Sequence, residues 1–211
     1  DVEYKYKKQS GGHGQYGHVK MTFEPSGDMD TPYVFEQTVV GGAVPKNFFP
    51  AVEKGIAESV KKGPLAAYPV TGIKAVLYDG SYHPVDSSEM AFKVATQQAF
   101  KKGIMEAKPV LLEPIATLKV VVPEGYTGDV MGELNKRRAR VMGMNPTDNG
   151  YQEIVADIPY LELYGYNATL RSMTSGSGTF SYEFARYEQA PDDVAAKQIE
   201  ERASKLVEVE E

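Results

Sequence analysis

The chain has 211 residues, of which 42% are hydrophobic and 25% are charged, enough apolar material for one large or two small domains. It contains no cysteine, which excludes disulfides and thiolate metal sites, and no apolar run approaches the ~18 residues of a membrane span. The net charge of −6 argues against strong, autonomous RNA binding.

The negative charge is concentrated at the C-terminal end. Residues 191–211 hold seven acids and three bases, so this segment carries −4 and residues 1–190 carry −2. Basic clusters remain at Lys5/Lys7/Lys8, at Lys101/Lys102 and within residues 136–140. RNA binding needs a basic face rather than a basic total, so these clusters keep RNA contact open as a function.

The first half of the chain predicts a sheet with two helices. Alternating and β-branched residues predict strands, two of them joined by a glycine-rich hairpin connection, and apolar residues at helical spacing predict helices. The predicted strands are 3–9, 15–24, 33–40 and 69–78, and the predicted helices are 47–62 and about 87–106. Asp86 is predicted to cap the second helix, with Glu89 completing a capping box.

A proline-marked junction at residues 108–114 separates a second α+β pattern from the first. Its predicted elements are strand 116–122, helix 127–138, strands 141–145 and 153–159, helix 161–173 and strand 179–186. This β-α-β-β-α-β order predicts the ferredoxin-like, split βαβ arrangement. An acidic helix, about 192–207, is predicted to follow Pro191.

The glycine-rich residues 10–14 (SGGHG) could hold a phosphate through their backbone N–H groups. They form neither a Walker A loop, because no Gly-Lys-Ser/Thr follows, nor a dinucleotide fingerprint, because no helix opens after them. Glycine clusters more often only turn the chain, so both interpretations stay open.

The histidines and serines raise the question of catalysis. His83, Ser87 and Ser88 lie close in sequence, as a small hydrolase would need, but Asp86 and the serines are better explained as a helix start. A hydrolase therefore stays only as a distant alternative. His18 is most simply a structural strand residue, and the histidine spacing fits no known metal site, so we expect no catalytic residue and no metal.

The basic cluster in the second half has two interpretations of equal weight. Its members are Lys136, Arg137, Arg138 and Arg140, at the predicted end of a helix. Cations there stabilise the helix dipole, which is a structural role. The same cations could contact nucleic-acid phosphates.

Several longer stretches, in order, resemble bacterial elongation factor G, the ribosomal translocase. They are residues 8–19 (KQSGGHGQYGHV), 41–46 (GGAVPK), 51–56 (AVEKGI), 80–93 (GSYHPVDSSEMAFK), 109–115 (PVLLEPI), 128–138 (GDVMGELNKRR), 164–165 (YG) and 168–174 (ATLRSMT). The resemblance covers about residues 4–190, and chance does not explain matches of this length in this order.

The resemblance implies an α+β fold in two domains. Residues 1–112 would form the family's domain IV, a ribosomal-protein-S5-domain-2-like module with an unusual left-handed βαβ unit. Residues 113–190 would form its ferredoxin-like domain V, and residues 191–211 an acidic C-terminal helix and tail. The left-handed crossover is implied by the resemblance alone.

The resemblance also implies a ribosomal role. The end of domain IV would enter the A site on the small ribosomal subunit, where it would contact tRNA and mRNA. The implied contact residues there are Gln9, Ser10, Gly11, Gly12, His13, Gly14, Gln15, Tyr82 and His83. The candidate rRNA contacts of the second domain are Lys136, Arg137, Arg138, Arg140, Arg171, Ser175 and Ser177.

In this family the GTPase, second and third domains precede the region matched here. The resemblance therefore implies a portion of a larger factor that is not itself an enzyme and holds no cofactor, with GTP and magnesium bound by the preceding domains. The implied partners are the ribosome, including the large-subunit factor-binding region, and the rest of the factor. A monomeric protein in the cytoplasm, without a membrane partner, is expected.

Two departures from the family pattern remove fixed positive charge. His13 stands where the family usually has arginine in its Gly-Gly-Arg-Gly-Gln loop, and Ser177 replaces an arginine in the second domain. Arginine binds phosphate through charge-assisted, often two-pronged hydrogen bonds, so ribosome contact should be weakened or retuned. The alternative function is therefore that of a paralogue acting in ribosome recycling or ribosome protection.

Overall fold

The computed structural model describes residues 1–207 and divides the chain into two compact units. The first comprises Asp1–Pro109 and the segment from Asp193 onward, and the second comprises Val110–Asp192. The acids Glu208, Glu210 and Glu211 of the predicted acidic tail lie outside the described residues.

The first unit is a four-stranded sheet with two helices. Its elements are β1 (Val2–Lys8), β2 (Gln15–Pro25), β3 (Tyr33–Gln37), α1 (Phe49–Ser59), β4 (Ile73–Ser81) and α2 (Glu89–Glu106). The strand order is β1-β2-β4-β3. β2 pairs antiparallel with both β1 and β4, whereas β3 and β4 are parallel and joined through α1, a βαβ unit. The left-handedness of its crossover stays a prediction.

The core of the first unit lies between one face of this sheet and the two helices. Val52 and Ile56 of α1, and Phe92 and Ala99 of α2, are buried, as their helical spacing predicted. Removing one such large side chain from water stabilises the fold by about 1.5–3 kcal/mol. Residues on the opposite face of β1, such as Lys5, are exposed.

The predicted cap of α2 is wrong. The helix begins at Glu89, and its N-cap is Ser88, whose Oγ accepts a hydrogen bond from the Ala91 N–H at 3.1 Å. Glu89 is the first helical residue rather than the third, so it cannot complete a capping box with Asp86. The Asp86 main-chain carbonyl instead accepts a hydrogen bond from the Tyr16 N–H at 2.9 Å.

The second unit is an antiparallel sheet with two helices. Its elements are β5 (Leu112–Pro123), α3 (Thr127–Lys136), β6 (Arg140–Pro146), β7 (Tyr151–Pro159), α4 (Tyr166–Met173) and β8 (Thr179–Gln189). The strand order is β6-β7-β5-β8, with every neighbouring pair antiparallel. This is the split βαβ order, so the predicted α+β class with a ferredoxin-like second half is confirmed.

Helix α4 is shorter than its apolar spacing predicted. Residues Tyr160–Leu163 form a 3-10 turn, and Gly165 then adopts a φ of +73°, a conformation that favours glycine. The α-helix therefore starts only at Tyr166. Periodicity did not show this break because the spacing of apolar residues continues across it.

A C-terminal helix, α5 (Asp192–Arg202), groups with the first unit. The Arg202 guanidinium lies 3.7 Å from the centre of the Tyr68 ring, a cation–π contact, and its Nε donates to the Ala66 carbonyl at 2.6 Å. The Tyr68 hydroxyl donates to Gln198 Oε1 at 2.9 Å. Few apolar residues are available in this acidic helix, so these contacts hold it.

Replacing the buried Tyr166 with phenylalanine is expected to stabilise the fold. It is fully buried, its hydroxyl has no hydrogen-bond partner among residues 1–207, and burial raises its pKa to about 12. Because an unpaired buried hydroxyl costs about 1–3 kcal/mol, Tyr166→Phe should raise the unfolding temperature by roughly 2–12 °C. Thermal unfolding followed by circular dichroism measures this, and a lowered unfolding temperature would contradict it.

Candidate nucleic-acid interface

Two loops lie side by side at one end of the first sheet. Residues 9–14 connect β1 to β2, and residues 82–88 connect β4 to α2. Because β2 and β4 are antiparallel, with His18 opposite Ser81, the start of β2 lies beside the end of β4. The fold therefore brings together the two motifs that stood 70 residues apart in sequence, and we call residues 9–14 and 82–88 the tip loops.

Backbone contacts hold the tip loops together. The Tyr16 N–H donates to the Asp86 carbonyl, and Ser87 Oγ donates to the Tyr16 carbonyl, both at 2.9 Å. A Cβ at Gly14 would lie 2.9 Å from Asp86 Oδ2, so this approach leaves little room for a side chain. The first loop is thus fixed against the second at its base.

The outer part of the first loop faces solvent. Gln9, Ser10, Gly11, Gly12 and His13 are exposed, whereas Gly14 and Gln15 are half-buried. The Gln15 amide is held, because its Oε1 accepts a hydrogen bond from the Tyr6 hydroxyl at 2.7 Å. The exposed part offers backbone N–H groups and small polar side chains, which suit phosphate and ribose hydroxyl contacts.

His83 in the second loop presents a hydrogen-bond donor. Its Nδ1 accepts the backbone N–H groups of Val85 at 3.2 Å and Asp86 at 3.0 Å. The neutral ring therefore carries its proton on Nε2. The side chain is 49% exposed, next to the exposed Tyr82. Asp86 Oδ2 lies 3.5 Å from Nδ1, and in this tautomer the two atoms are both acceptors.

The serines of the second loop are used structurally. Ser87 Oγ donates to the Tyr16 carbonyl and accepts the His83 N–H at 2.9 Å, while Ser88 Oγ caps α2. His83 Nδ1 is turned to backbone amides, so it does not serve as a base for either hydroxyl. These contacts favour the structural interpretation over a hydrolase.

Among residues 1–207, no group of three or more histidines or acids could hold a metal ion. Within the same range, no helix is both long and apolar enough to cross a membrane.

In the second unit, Arg137 and Arg138 make internal contacts. Arg137 donates to Glu133 Oε1 at 3.0 Å and to the Glu162 carbonyl at 2.7 Å. Arg138 binds both carboxylate oxygens of Glu113, at 2.8 and 3.1 Å, and this pairing raises the pKa of its guanidinium. Both guanidiniums therefore stabilise the fold of the unit, which favours a structural role for them.

Arg140 shares an acid with Arg186 across the sheet. Asp157 Oδ2 accepts hydrogen bonds from Arg140 at 3.2 Å and from Arg186 at 2.8 Å. Burial raises the pKa of Asp157, but the bonds from these arginines outweigh burial and hold the pKa below its usual range. The Arg140 side chain is 67% exposed, so it remains accessible to a ligand.

The remaining cations of the candidate set are unpaired. Lys136 and Arg171 are exposed and form no ion pair within residues 1–207. Ser175 is exposed with a φ of +51°, and the Ser177 hydroxyl donates to the Thr174 carbonyl at 2.5 Å. Lys136 and Arg171 are therefore the basic candidates whose charge is available to an anion.

Sequence reasoning missed Glu3, Tyr16 and Ser81, which lie behind the tip loops. Alternation along β2 places Tyr16 and His18 on one face but gives neither residue a partner. Only the strand register brings Ser81 of β4 and Glu3 of β1 to the same place.

Comparisons with known proteins cover almost the whole chain. The family profile "Elongation factor G, domain IV" matches residues 1–108, and the profile "Elongation factor G C-terminus" matches residues 110–198. The tip loops fall inside the first matched region, and the basic candidate residues of the second unit fall inside the second.

Individual relatives agree with the family profiles. An elongation factor G-like protein of Thermotoga maritima is 50% identical over 209 residues, which is 99% of this chain and 30% of that protein. A crystal structure from Thermus thermophilus matches with a TM-score of 0.80 and 44% identity over 96% of this chain and 30% of its own. This chain thus spans about a third of the length of such relatives, and it belongs to the elongation factor G family.

Proposed function

We propose that this chain acts as the ribosome-contacting portion of an elongation-factor-G-like translational GTPase. Its tip loops would enter the A site on the small ribosomal subunit, disengage the tRNA–mRNA duplex from the decoding centre and prevent its return. The observation that carries this proposal is the joining of two exposed polar loops at the end of one sheet.

The chemistry of the tip loops suits RNA. Structured RNA is recognised through its shape, its 2′-hydroxyls and stacking on aromatic rings. Exposed N–H groups of Gly11 and Gly12 and the Nε2–H of His83 can donate to these groups, and the exposed Tyr82 can stack. None of these contacts requires a net positive charge, in keeping with the −6 of the chain.

The remainder of the activity would belong to the rest of the factor. GTP and magnesium would be bound by the preceding domains, and this chain alone would bind and hydrolyse no nucleotide. Because linked domains bind cooperatively, the chain alone should bind ribosomes weakly. Sedimentation with ribosomes across a salt series should show weak binding that falls further as salt rises. Tight, salt-insensitive binding would contradict this.

The second unit supplies a prediction on phosphate contacts. Replacing both Lys136 and Arg171 by alanine should lower ribosome affinity and make its salt dependence shallower, since each phosphate contact adds about 0.7–0.9 to the slope. The unfolding temperature should stay unchanged because neither side chain is paired. Arg138→Ala is the matched contrast: it leaves the half-buried Glu113 unpaired and should lower the unfolding temperature. An unchanged salt slope in the double variant would contradict the assignment.

A second candidate function rests on His13 and Ser177. Both stand where an arginine is usual in this family, and His13 lies in the exposed part of the first tip loop. The whole factor could therefore act in ribosome recycling or in ribosome protection, with weaker tip contacts. A paired assay of translocation and of ribosome splitting, in a full-length factor carrying this chain as domains IV and V, separates the two candidates.

The departures can also be tested directly. Introducing arginine by His13→Arg and Ser177→Arg together should raise ribosome affinity and steepen its salt dependence. If affinity and salt slope both stay unchanged, the two departures carry no functional meaning.

A further inference from the structure

A chain of short hydrogen bonds lies directly behind the tip loops. The Tyr16 hydroxyl, Ser81 Oγ, the His18 imidazole and the Glu3 carboxylate are linked by three contacts of 2.6 Å each. His18 is the centre of this chain and is 6% exposed, although it lies on the face of the sheet opposite the core. Proposed tip contacts with RNA do not use any of these four side chains.

The direction of each bond follows from the ends. The Glu3 carboxylate can only accept, so His18 Nε2 carries the proton, and this bond lowers the pKa of Glu3. When the imidazole is neutral, Nδ1 accepts, so Ser81 donates its hydroxyl proton to His18. Tyr16 in turn donates to Ser81. Each polar hydrogen of the chain has one defined acceptor, which orients all four side chains.

The outer end of this chain holds both tip loops. Ser81 is the last residue of β4, so the second loop begins at the next residue. The backbone of Tyr16 binds Asp86 and Ser87 of the second loop, and the Tyr16 ring centre lies 6.3 Å from that of His83. A displacement of Tyr16 would therefore move the segment that orients His83.

We propose that His18 is a positioning residue for the tip: with Glu3 behind it and Ser81 in front, it fixes Tyr16 and thereby the geometry of both tip loops. This geometric role belongs to the 211-residue polypeptide by itself and does not depend on the ribosome. Its consequence for translocation rests on the proposed function of the tip loops.

A Glu–His–Ser chain also resembles the constellation that activates a serine nucleophile. Here the Tyr16 hydroxyl donates a hydrogen bond into Ser81 Oγ, which withdraws electron density from the oxygen that would have to attack. The contacts therefore favour a positioning role for Ser81 over a role as nucleophile. We call the hydrogen bonds that link Glu3, His18, Ser81 and Tyr16 the brace. Labelling of Ser81 by a fluorophosphonate probe would overturn the positioning role in favour of catalysis, and we expect no labelling.

Amide hydrogen exchange in the 211-residue chain measures how firmly the brace holds the tip loops. The reporters are the N–H groups of His83 and Ser87, bonded within the second tip loop, and that of Tyr16 in β2, bonded to Asp86 of the same loop. Ser81→Ala removes the central hydroxyl with little change in packing, and should speed exchange at these amides by about 5- to 30-fold, as loss of one or two hydrogen bonds implies. The amide of the half-buried Val70, bonded to the Val60 carbonyl at 2.7 Å, should be unaffected.

Ser26→Ala is the matched control, because it deletes a serine hydroxyl just beyond the opposite end of β2. It should leave the three reporter amides unchanged. Equal exchange at those amides in the Ser81 and Ser26 variants would overturn the proposal.

A pair of substitutions tests His18 itself. His18→Ala should accelerate exchange at the reporter amides, whereas glutamine can donate to Glu3 and accept from Ser81, so His18→Gln should restore most of the protection. The 15N signals of the native imidazole should show Nε2 protonated and Nδ1 unprotonated. The opposite tautomer, or no rescue by glutamine in a chain that remains folded at Val70, would overturn the proposal.

The functional consequence is measured separately in a full-length factor that carries this chain as domains IV and V. Ser81→Ala should slow single-round translocation by ~5-fold or more without changing ribosome-stimulated GTP hydrolysis. If Ser81→Ala speeds exchange at the reporter amides but leaves the translocation rate unchanged, the proposed role of the tip loops is refuted and the positioning role of His18 is supported. Unchanged loop exchange would refute the brace whatever the translocation rate.

Discussion

Replacing His83 with alanine is expected to slow tRNA–mRNA translocation by about tenfold or more in a full-length factor that carries this chain, while ribosome-stimulated GTP hydrolysis stays unchanged. The Nε2–H of His83 is a half-exposed donor at the tip, and its Nδ1 is already occupied by the Val85 and Asp86 amides. A hydrogen bond to a charged group such as a phosphate is worth about 1.5–3 kcal/mol. If that bond strengthens in the transition state, its loss corresponds to a roughly tenfold or greater loss in rate.

A second substitution separates the two uses of the imidazole. The side-chain oxygen of asparagine can accept the hydrogen bonds that the Val85 and Asp86 amides donate to His83 Nδ1. The shorter asparagine side chain does not place a donor where Nε2 lies. His83→Asn should therefore slow translocation as much as alanine does. Native rate in the asparagine variant would assign His83 to holding the loop, and native rate in the alanine variant would refute any role for it.

The second large effect is expected at Gly17, where β2 passes the first turn of α2. A Cβ added there would lie 2.5 Å from the Ala91 carbonyl oxygen and 2.9 Å from the Phe92 nitrogen, both backbone atoms. These atoms are held by the Ser88 cap and the buried Phe92 ring, so the clash cannot relax cheaply. Gly17→Ala should cost about 3 kcal/mol and lower the unfolding temperature by roughly 6–12 °C.

Gly132→Ala provides the contrast for this measurement. Gly132 lies within α3, and a Cβ there would meet nothing within 4 Å. Because alanine is favoured over glycine inside a helix, this variant should be stabilised by about 0.5–1 kcal/mol. If Gly17→Ala unfolds at the temperature of the native chain, β2 does not pack against α2 as closely at Gly17 as described.

The fold was predictable where a local pattern determines it. Phe92 and Ala99 have helical spacing and are buried, and the β-α-β-β-α-β order of the second half gives the observed ferredoxin-like sheet. Two candidates for the cap of α2, two positions apart, were harder to distinguish. Asp86 and Ser88 are both good capping residues, and the choice depends on the contact of Tyr16 with the Asp86 carbonyl, a residue 70 positions away.

Parts of the candidate site were not predictable for the same reason. The resemblance placed His83 and the glycine-rich loop together, but residue type alone could not distinguish the paired Arg138 from the unpaired Lys136. That distinction depends on Glu113, which only folding brings to Arg138. Likewise, His18 is an ordinary strand residue in sequence, and its bonds to Glu3 and Ser81 exist only because of the strand register.

The central claim is that the tip loops reach the decoding centre, and the absence of cysteine makes a direct test available. A single cysteine introduced by His13→Cys, in a cysteine-free full-length factor carrying this chain, can hold an iron–EDTA group that cleaves nearby RNA. A cysteine introduced by Ser26→Cys, beyond the opposite end of β2, serves as the control. We predict small-subunit rRNA cleavage at the decoding centre from position 13 and not from position 26. Cleavage from position 13 that is absent from the decoding centre, or identical to that from position 26, would contradict the account.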